Sequence, residues 1–297
     1  MAKIVCIFAH TMNKMRYILY IWSVALVLTA CGGSGRQPAG DESVAPADSM
    51  IDDGATEEGV ADTTATVADA DERAGAPADT TAAAQDMADA DQQGLTPTER
   101  RMAEAGMVDV LTLDSSLHVS LMYSRADNFT GRTLYRDLSR AFLHPEAARA
   151  LVAAQRALRR ERPDLSLIVY DAARPMAIQA EMYRVVEGTD QAIYVSNPAN
   201  GGGLHNYGLA VDLSLCDAAT GDTLPMGTVI DYMGPAAHTD AEEALVADGR
   251  MSAEALSNRR LLRRVMAAGG YRVLRTEWWH FNLRSRAEAR RRYAVIP

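Results

Sequence analysis

Apolar and polar residues alternate with two different periods in the last two thirds of the chain, which predicts both strands and helices. Some runs alternate at every second residue, as half-buried strands do, and others are more uniformly apolar, as fully buried strands are. Five segments have one of these two strand patterns: 108–113, 117–123, 165–171, 209–215 and 271–283. The last is long enough for one or two strands.

Three segments instead have the period of an amphipathic helix. They are 145–161, a stretch from Pro175 to about Val186, and 258–270. Pro163 stops the first, and a glycine pair ends the last. Strands and helices follow one another without regular alternation. This order predicts an α+β domain with helices packed on a mainly antiparallel central sheet.

A short apolar run near the N-terminus predicts export. Basic residues precede Y-I-L-Y-I-W-S-V-A-L-V-L-T-A, which is shorter than the roughly 20 residues of a spanning helix and leads to Cys31. L-T-A-C resembles a bacterial lipobox, so residues 1–31 predict a lipoprotein signal peptide whose Cys31 carries lipid. An ordinary signal peptide that contains a cysteine is the alternative, and Met12 or Met15 is a possible start.

Residues 32–100 have a different composition from the remainder. They hold 16 acidic and 3 basic residues and almost no large apolar side chains. Such a segment cannot bury enough apolar surface to offset its ordering entropy, which predicts a disordered acidic tether. The folded domain is then 101–297, with 24 basic and 23 acidic residues. This balance gives no reason to expect a nucleic-acid partner.

Three side chains in the last third have the make-up of a catalytic zinc site. His205 in G-L-H-N-Y-G, Asp212 in L-A-V-D and His280 in E-W-W-H offer two imidazoles and one carboxylate. Catalytic zinc sites use three protein ligands and an open position, whereas structural sites close all four, usually with cysteines. The three cysteines here are too few and too scattered for such a site. Taken singly, a surface-loop histidine and a turn-capping aspartate are alternatives.

Glu277, three residues before His280, is the candidate general base. The neighbouring tryptophans predict an apolar wall, which raises the pKa of a carboxyl group. Residues three apart on an ideal strand face opposite ways, so a bend or strand end is required for the two side chains to converge. The alternative is an aromatic strand with Glu277 and His280 at its solvent end.

These motifs resemble the H-x-x-G-x-A-x-D and E-x-W-H signatures of the zinc D,D-peptidase group. That group includes VanX-type D-alanyl-D-alanine dipeptidases, VanY carboxypeptidases and the hedgehog signalling domain fold. Four further stretches are similar to the dipeptidase branch, in the same order along the chain: D-N-F-T-G (127–131), D-A-A-R-P (171–175), L-P-M-G-T-V-I-D-Y-M (224–233) and N-R-R-L-L-R-R-V-M (258–266). The resemblance covers about 108–284, nearly the whole domain.

The resemblance implies one zinc ion per domain, held in a cleft by the three ligands named above, with Glu277 as catalytic base. It also implies that Arg174 stabilises the oxyanion and that Asp231 pairs with the free ammonium of a dipeptide. A salt bridge to Asp171 is the alternative for Arg174, and an ordinary turn position is the alternative for Asp231. The family commonly has serine where this chain has Gly203, so a donor to the substrate carboxylate is either missing or supplied by the backbone.

The expected function is zinc-dependent hydrolysis of D-Ala-D-Ala or related D,D-dipeptides in peptidoglycan turnover or fragment recycling. The expected partners are the dipeptide or peptidoglycan fragments, together with a bacterial membrane reached through the lipid on Cys31. The domain would face the periplasm or the cell exterior. One alternative is a carboxypeptidase that trims peptidoglycan stem peptides, although the charge of Asp231 argues against a longer peptide. A non-catalytic wall-binding module is the other.

Overall fold

The computed structural model describes residues 94–296, and every structural statement below concerns that range. The predicted signal peptide, Cys31 and the tether as far as residue 93 lie outside the described residues. Within 94–296, no helix combines the length and apolar character that crossing a membrane requires.

Seven helices and seven strands form the described part of the chain. The helices are α1 (Pro97–Glu104), α2 (Val110–Leu113), α3 (Pro145–Glu161), α4 (Met176–Val186), α5 (Glu242–Ala247), α6 (Ala253–Ala268) and α7 (Arg286–Arg292). The strands are β1 (Val108–Asp109), β2 (His118–Val119), β3 (Phe142–Leu143), β4 (Leu165–Asp171), β5 (Ala210–Asp217), β6 (Arg272–Leu274) and β7 (Glu277–Asn282).

Five strands form the central sheet, in the order β2-β4-β5-β7-β6. β2 runs parallel to β4, and the other three pairings are antiparallel, so the sheet is mixed. β1 and β3 form a separate antiparallel pair. Helix α3 packs on β4 and on α6, and their apolar faces join the inner strands in one buried core. The α+β class is therefore confirmed.

Several predicted elements are confirmed, and their ends lie where capping residues, proline or glycine occur in the sequence. Helix α3 begins at Pro145, where the His144 side chain accepts from the backbone N–H of Glu146, and it ends at Glu161 before Pro163. Helix α6 ends at the predicted glycine pair, with Gly270 at φ 91°. The segment 271–283 divides into two strands, β6 and β7.

Two predicted strands are wrong over most of their length. In 108–113, only β1 is extended, because the Asp109 carboxylate accepts from the backbone N–H of Leu111 at 3.1 Å and starts the helical turn α2. In 117–123, only β2 is extended, and a 3₁₀ turn at Met122–Ser124 follows. Burial does not alternate in either segment: Asp109 and Val110 are both buried, and the residues 121–123 are buried in succession.

The packed structure starts before the predicted domain boundary at residue 101. Helix α1 begins at Pro97 and has a capping box formed by Thr96 and Glu99. The buried Glu99 carboxylate also accepts from the backbone N–H and the hydroxyl of Ser139, at 3.0 and 2.8 Å. The end of the predicted tether is thereby attached to the domain.

Candidate metal centre and active site

His205 lies on a 3₁₀ turn, Leu204–Tyr207, which Gly208 ends in the left-handed conformation at φ 66°. A Cβ atom on Gly208 would lie 2.8 Å from both the His144 backbone nitrogen and the Met107 sulfur, so only glycine fits. The glycine-rich approach therefore turns the chain tightly and presents the imidazole at the start of β5.

Asp212 and His280 face each other across the sheet. They are direct partners in the antiparallel pairing of β5 and β7. Side chains of directly opposed residues lie on the same face of a sheet, so this register brings the carboxylate to the imidazole. The Asp212 Oδ1 atom lies 3.0 Å from His280 Nδ1.

The three predicted ligands converge on one point. His205 Nε2 lies 3.3 Å from Asp212 Oδ2 and 3.1 Å from His280 Nδ1. The ligand atoms of all three residues lie within 4.8 Å of one another. His205 and Asp212 are buried, and the side chain of His280 is 12% exposed. The structure therefore brings together the three residues that the sequence predicts as ligands.

The donor set fits a zinc ion because the outer nitrogen of each imidazole is already engaged. His205 Nδ1 donates to the carbonyl of Ala172 at 2.7 Å, and His280 Nε2 donates to Asn282 Oδ1 at 2.8 Å. These bonds fix the tautomers and leave His205 Nε2 and His280 Nδ1 as lone pairs directed at each other. Two lone pairs and a carboxylate at this spacing repel each other unless a cation lies among them. Two nitrogens and one oxygen are typical ligands of catalytic zinc.

An irregularity in β7 brings Glu277 to the same place. Val273 pairs with Phe281, yet the next residue of β6, Leu274, pairs with Glu277, so β7 carries extra residues between the two pairs. This supplies the bend that convergence requires. As a result, Glu277 Oε2 lies 3.8 Å from His280 Nδ1.

Burial and the neighbouring imidazoles shift the pKa values of Glu277 and Asp212 in opposite directions. Burial raises the pKa of Glu277 to about 8, and the charge of Asp212 adds to the effect while His280 opposes it. Burial would also raise the pKa of Asp212, but the neighbouring imidazoles of His205 and His280 lower it well below its ordinary value. Asp212 is therefore held as the anion, whereas the pKa of Glu277 lies near neutral pH.

Arg174 is buried beside the three ligands and is held by its own partners. Its Nε donates to Asp171 Oδ2 at 2.9 Å, Nη2 donates to the same carboxylate, and Nη1 donates to Gln179 Oε1 at 2.8 Å. Nη2 also lies 3.8 Å from Asp212 Oδ2. The alternative of a salt bridge to Asp171 is thus present, and the same bridge places the guanidinium next to the site.

Asp231 reaches the cluster through a tyrosine. Its carboxylate accepts from the hydroxyl of the buried Tyr123 at 2.7 Å, and the Arg174 guanidinium lies 5.2 Å above the ring centre of that tyrosine. Burial raises the pKa of Asp231 to about 7, and the charge of Asp212 adds to this shift. All six predicted site residues therefore belong to one connected group of charges.

Several residues that build the site carry no local signal in the sequence. Tyr135 donates to Asp171 Oδ1 at 2.5 Å, so the carboxylate that holds Arg174 is itself fixed. Tyr123, Gln179 and Asn282 hold Asp231, Arg174 and His280 respectively. The similarity of D-A-A-R-P could have pointed to Asp171. Gln179 and Asn282 lie close in sequence to the residues that they hold, at separations of five and two. Tyr123 and Tyr135 instead depend on contacts between distant segments.

Gly203 has a neighbour that occupies the space of a side chain. A Cβ atom on Gly203 would lie 2.8 Å from Ser196 Oγ. Ser196 is tied to the site, because its carbonyl accepts from Gln179 Nε2 at 2.7 Å and its hydroxyl accepts from Arg286 Nη2 at 3.2 Å. A serine hydroxyl is therefore present beside position 203, although it comes from another loop.

Comparison with known proteins gives a uniform result. The sequence profile of a peptidase family described as D-Ala-D-Ala dipeptidase, M15, matches residues 103–296. The D-alanyl-D-alanine dipeptidase of Escherichia coli (strain K12) is 33% identical over 177 residues, which are 60% of this chain and 84% of that protein. Those of Streptomyces coelicolor and Enterococcus faecalis are each 30% identical, over 190 and 195 residues, 58% of this chain in both cases and 88% and 90% of theirs.

Proposed function

Because the chain belongs to the M15 metallopeptidase family of D-Ala-D-Ala dipeptidases, we propose that it hydrolyses free D-Ala-D-Ala with one zinc ion held by His205, Asp212 and His280. The observation that carries this proposal is the convergence of these three ligands beside Glu277. Zinc, when bound, supplies a Lewis acid that polarises the scissile carbonyl and makes a water molecule acidic enough to attack at neutral pH.

Glu277 then moves the proton. Its carboxylate accepts the proton of the attacking water and passes it to the nitrogen of the leaving D-alanine, so one residue acts as base and then as acid. A group with a raised pKa suits both steps, because neither of its protonation states is strongly favoured near neutral pH. The buried position keeps bulk water from taking the proton instead.

Arg174 stabilises the negative charge that develops on the carbonyl oxygen. A guanidinium has five N–H donors, and Asp171 and Gln179 accept three of them. The group is therefore rigid and still has donors for a substrate oxygen. Fixed donors need no reorganisation during the reaction, which is why they stabilise a transition state well.

Asp231 selects a free dipeptide over a longer chain. Its partly buried carboxylate can pair with the ammonium of D-Ala-D-Ala, and an acylated peptide has no charge to offer there. We expect the free dipeptide to be favoured over an N-acylated tripeptide ending in D-Ala-D-Ala by about 100-fold in kcat/KM, because an unpaired desolvated carboxylate is costly. D-alanine release from both substrates measures this. Equal rates, or preference for the tripeptide, would assign the chain to the carboxypeptidases.

We propose that the Ser196 hydroxyl performs the task of the serine that the family commonly has at position 203. Hydrogen bonds to charged groups contribute about 1.5–3 kcal/mol, so Ser196→Ala should raise the KM for D-Ala-D-Ala about tenfold or more. The matched test moves the hydroxyl from position 196 to position 203. The double variant Ser196→Gly, Gly203→Ser should recover most of the loss, since Gly203 has φ −103°, which serine adopts readily. A double variant no better than Ser196→Ala would refute this role.

The place of action is also a proposal. The L-T-A-C sequence at Cys31 supports export and a lipid anchor, and the acidic segment after it supports a tether. An exported dipeptidase would meet dipeptides and wall fragments outside the cytoplasm, which supports a role in peptidoglycan turnover or recycling. Because its relatives are dipeptidases by name, an enzyme is favoured over a non-catalytic wall-binding module.

A further inference from the structure

The segment 224–237, here named the Asp231 segment, is an exposed loop that must keep one residue in place. Val229 and Tyr232 within it are 74% and 44% exposed. Asp231 has φ 60° and is the one residue other than glycine with a positive φ among residues 94–296. Such a conformation persists only where surrounding contacts hold it.

Arg259 on α6 supplies contacts on both sides of Asp231. Its side chain is fully buried. Nε donates to the carbonyl of Met226 at 2.7 Å, and Nη2 donates to the carbonyl of Ala236 at 3.1 Å and to Thr228 Oγ1 at 3.4 Å. One planar guanidinium therefore joins the two ends of the Asp231 segment, which a single ammonium could not do.

The same side chain connects the Asp231 segment to the strand of the candidate base. The Arg259 guanidinium lies 5.2 Å above the ring centre of Trp278, the residue after Glu277. Trp278 Nε1 in turn donates to Thr228 Oγ1 at 2.7 Å. Glu242, whose Oε1 lies 3.4 Å from Arg259 Nη1, balances the buried charge. The Asp231 segment and strand β7 therefore both contact the Arg259 guanidinium of helix α6.

We propose that Arg259 is a positioning residue for substrate selection: it holds Asp231 at a fixed place relative to Glu277, so that the ammonium of a free dipeptide is recognised. This inference rests on the proposed dipeptidase function. Arg259 is not a catalytic residue, and it acts through the Asp231 segment.

The variant Arg259→Lys tests the proposal, because lysine keeps the positive charge beside Glu242 but loses the fork that joins Met226 and Ala236. We expect the KM for D-Ala-D-Ala to rise about tenfold, with kcat within about threefold of wild type, since recognition of the ground state is what changes. Propionyl-D-alanine, the dipeptide without its amino group, should inhibit with an unchanged Ki. A variant whose active site is merely destabilised would raise both the KM for D-Ala-D-Ala and the Ki for propionyl-D-alanine.

Arg263→Lys is the matched control. Arg263 lies one turn further along α6, and both of its hydrogen bonds go to Glu242, at 2.8 and 2.7 Å. Its replacement should leave the KM and the Ki unchanged. If Arg259→Lys behaves like Arg263→Lys, or raises the KM and the Ki together, the proposal is overturned.

A double-mutant cycle that combines Arg259→Lys with Asp231→Asn examines the coupling between these two residues. If Arg259 acts through Asp231, the double variant should be no worse than Asp231→Asn alone, whereas two independent losses would multiply.

Amide hydrogen exchange of 226–236 gives a readout without turnover, and exchange should be faster in Arg259→Lys and unchanged in Arg263→Lys. A wild-type chain that fails to hydrolyse D-Ala-D-Ala would refute the proposed function, while the exchange data would still decide whether Arg259 holds the segment.

Discussion

Replacing Glu277 with glutamine is expected to lower kcat for D-Ala-D-Ala by about 10³-fold while bound zinc stays at one ion per chain; general acid–base catalysis contributes roughly 10²–10⁴-fold in enzymes. Glutamine keeps the size and polarity of the side chain, so the bend in β7 and the position of His280 should not change. It cannot accept the proton of the attacking water. The measurement is kcat and zinc content on the same preparation.

The contrast between turnover and metal content identifies the role of Glu277. Glu243→Gln, on the surface helix α5, is a suitable control because its carboxylate is exposed and pairs only with Arg260 in the described structure. It should leave kcat and zinc content unchanged. Loss of zinc in Glu277→Gln would make Glu277 a ligand, and undiminished turnover would exclude it as the base.

His280→Ala is expected to lose both zinc and activity. The substitution removes one of three ligand atoms, the imidazole nitrogen that lies 3.0 Å from the Asp212 carboxylate across β5 and β7. Two remaining ligands cannot make the three-ligand site that catalytic zinc requires. Zinc content after gel filtration, with D-alanine release on the same sample, measures both effects.

Asn282→Ala provides a graded comparison for His280→Ala. It leaves all three ligands in place and removes only the acceptor of His280 Nε2–H. Loss of such an orienting partner lowers metal affinity or activity about 10–100-fold, so zinc binding should weaken but persist. A His280→Ala variant that still held one zinc per chain would remove His280 from the ligand set.

Elements with strong local signals could be predicted from the sequence. Helix α3 and strand β4 have the predicted bounds. Proline residues limit the helix at both ends, and a mostly apolar run defines the strand. The short strands β1 and β2 could not be separated from the turns that follow them, because the alternation of apolar and polar residues continues through both. In 108–113, the strand ends because the Asp109 side chain caps the helical turn that follows it.

The three candidate metal ligands could be predicted, and the distant residues that build the site around them could not. His205, Asp212 and His280 have side chains that commonly bind metals, and they lie in recognisable motifs. By sequence, Tyr123 has no sign of a role in the site, and Arg259 is one of several arginines on an amphipathic helix. Their roles follow from contacts with segments about 30–110 residues away, which no local pattern encodes.

A zinc titration of the metal-free chain, with D-alanine release from free D-Ala-D-Ala followed at each step, tests whether zinc at this site carries out the hydrolysis. We expect activity to rise in proportion to zinc and to stop rising at one equivalent per chain. Hydrolysis that proceeds equally well in a chelator, or a fully zinc-loaded chain that releases no D-alanine, would contradict this expectation.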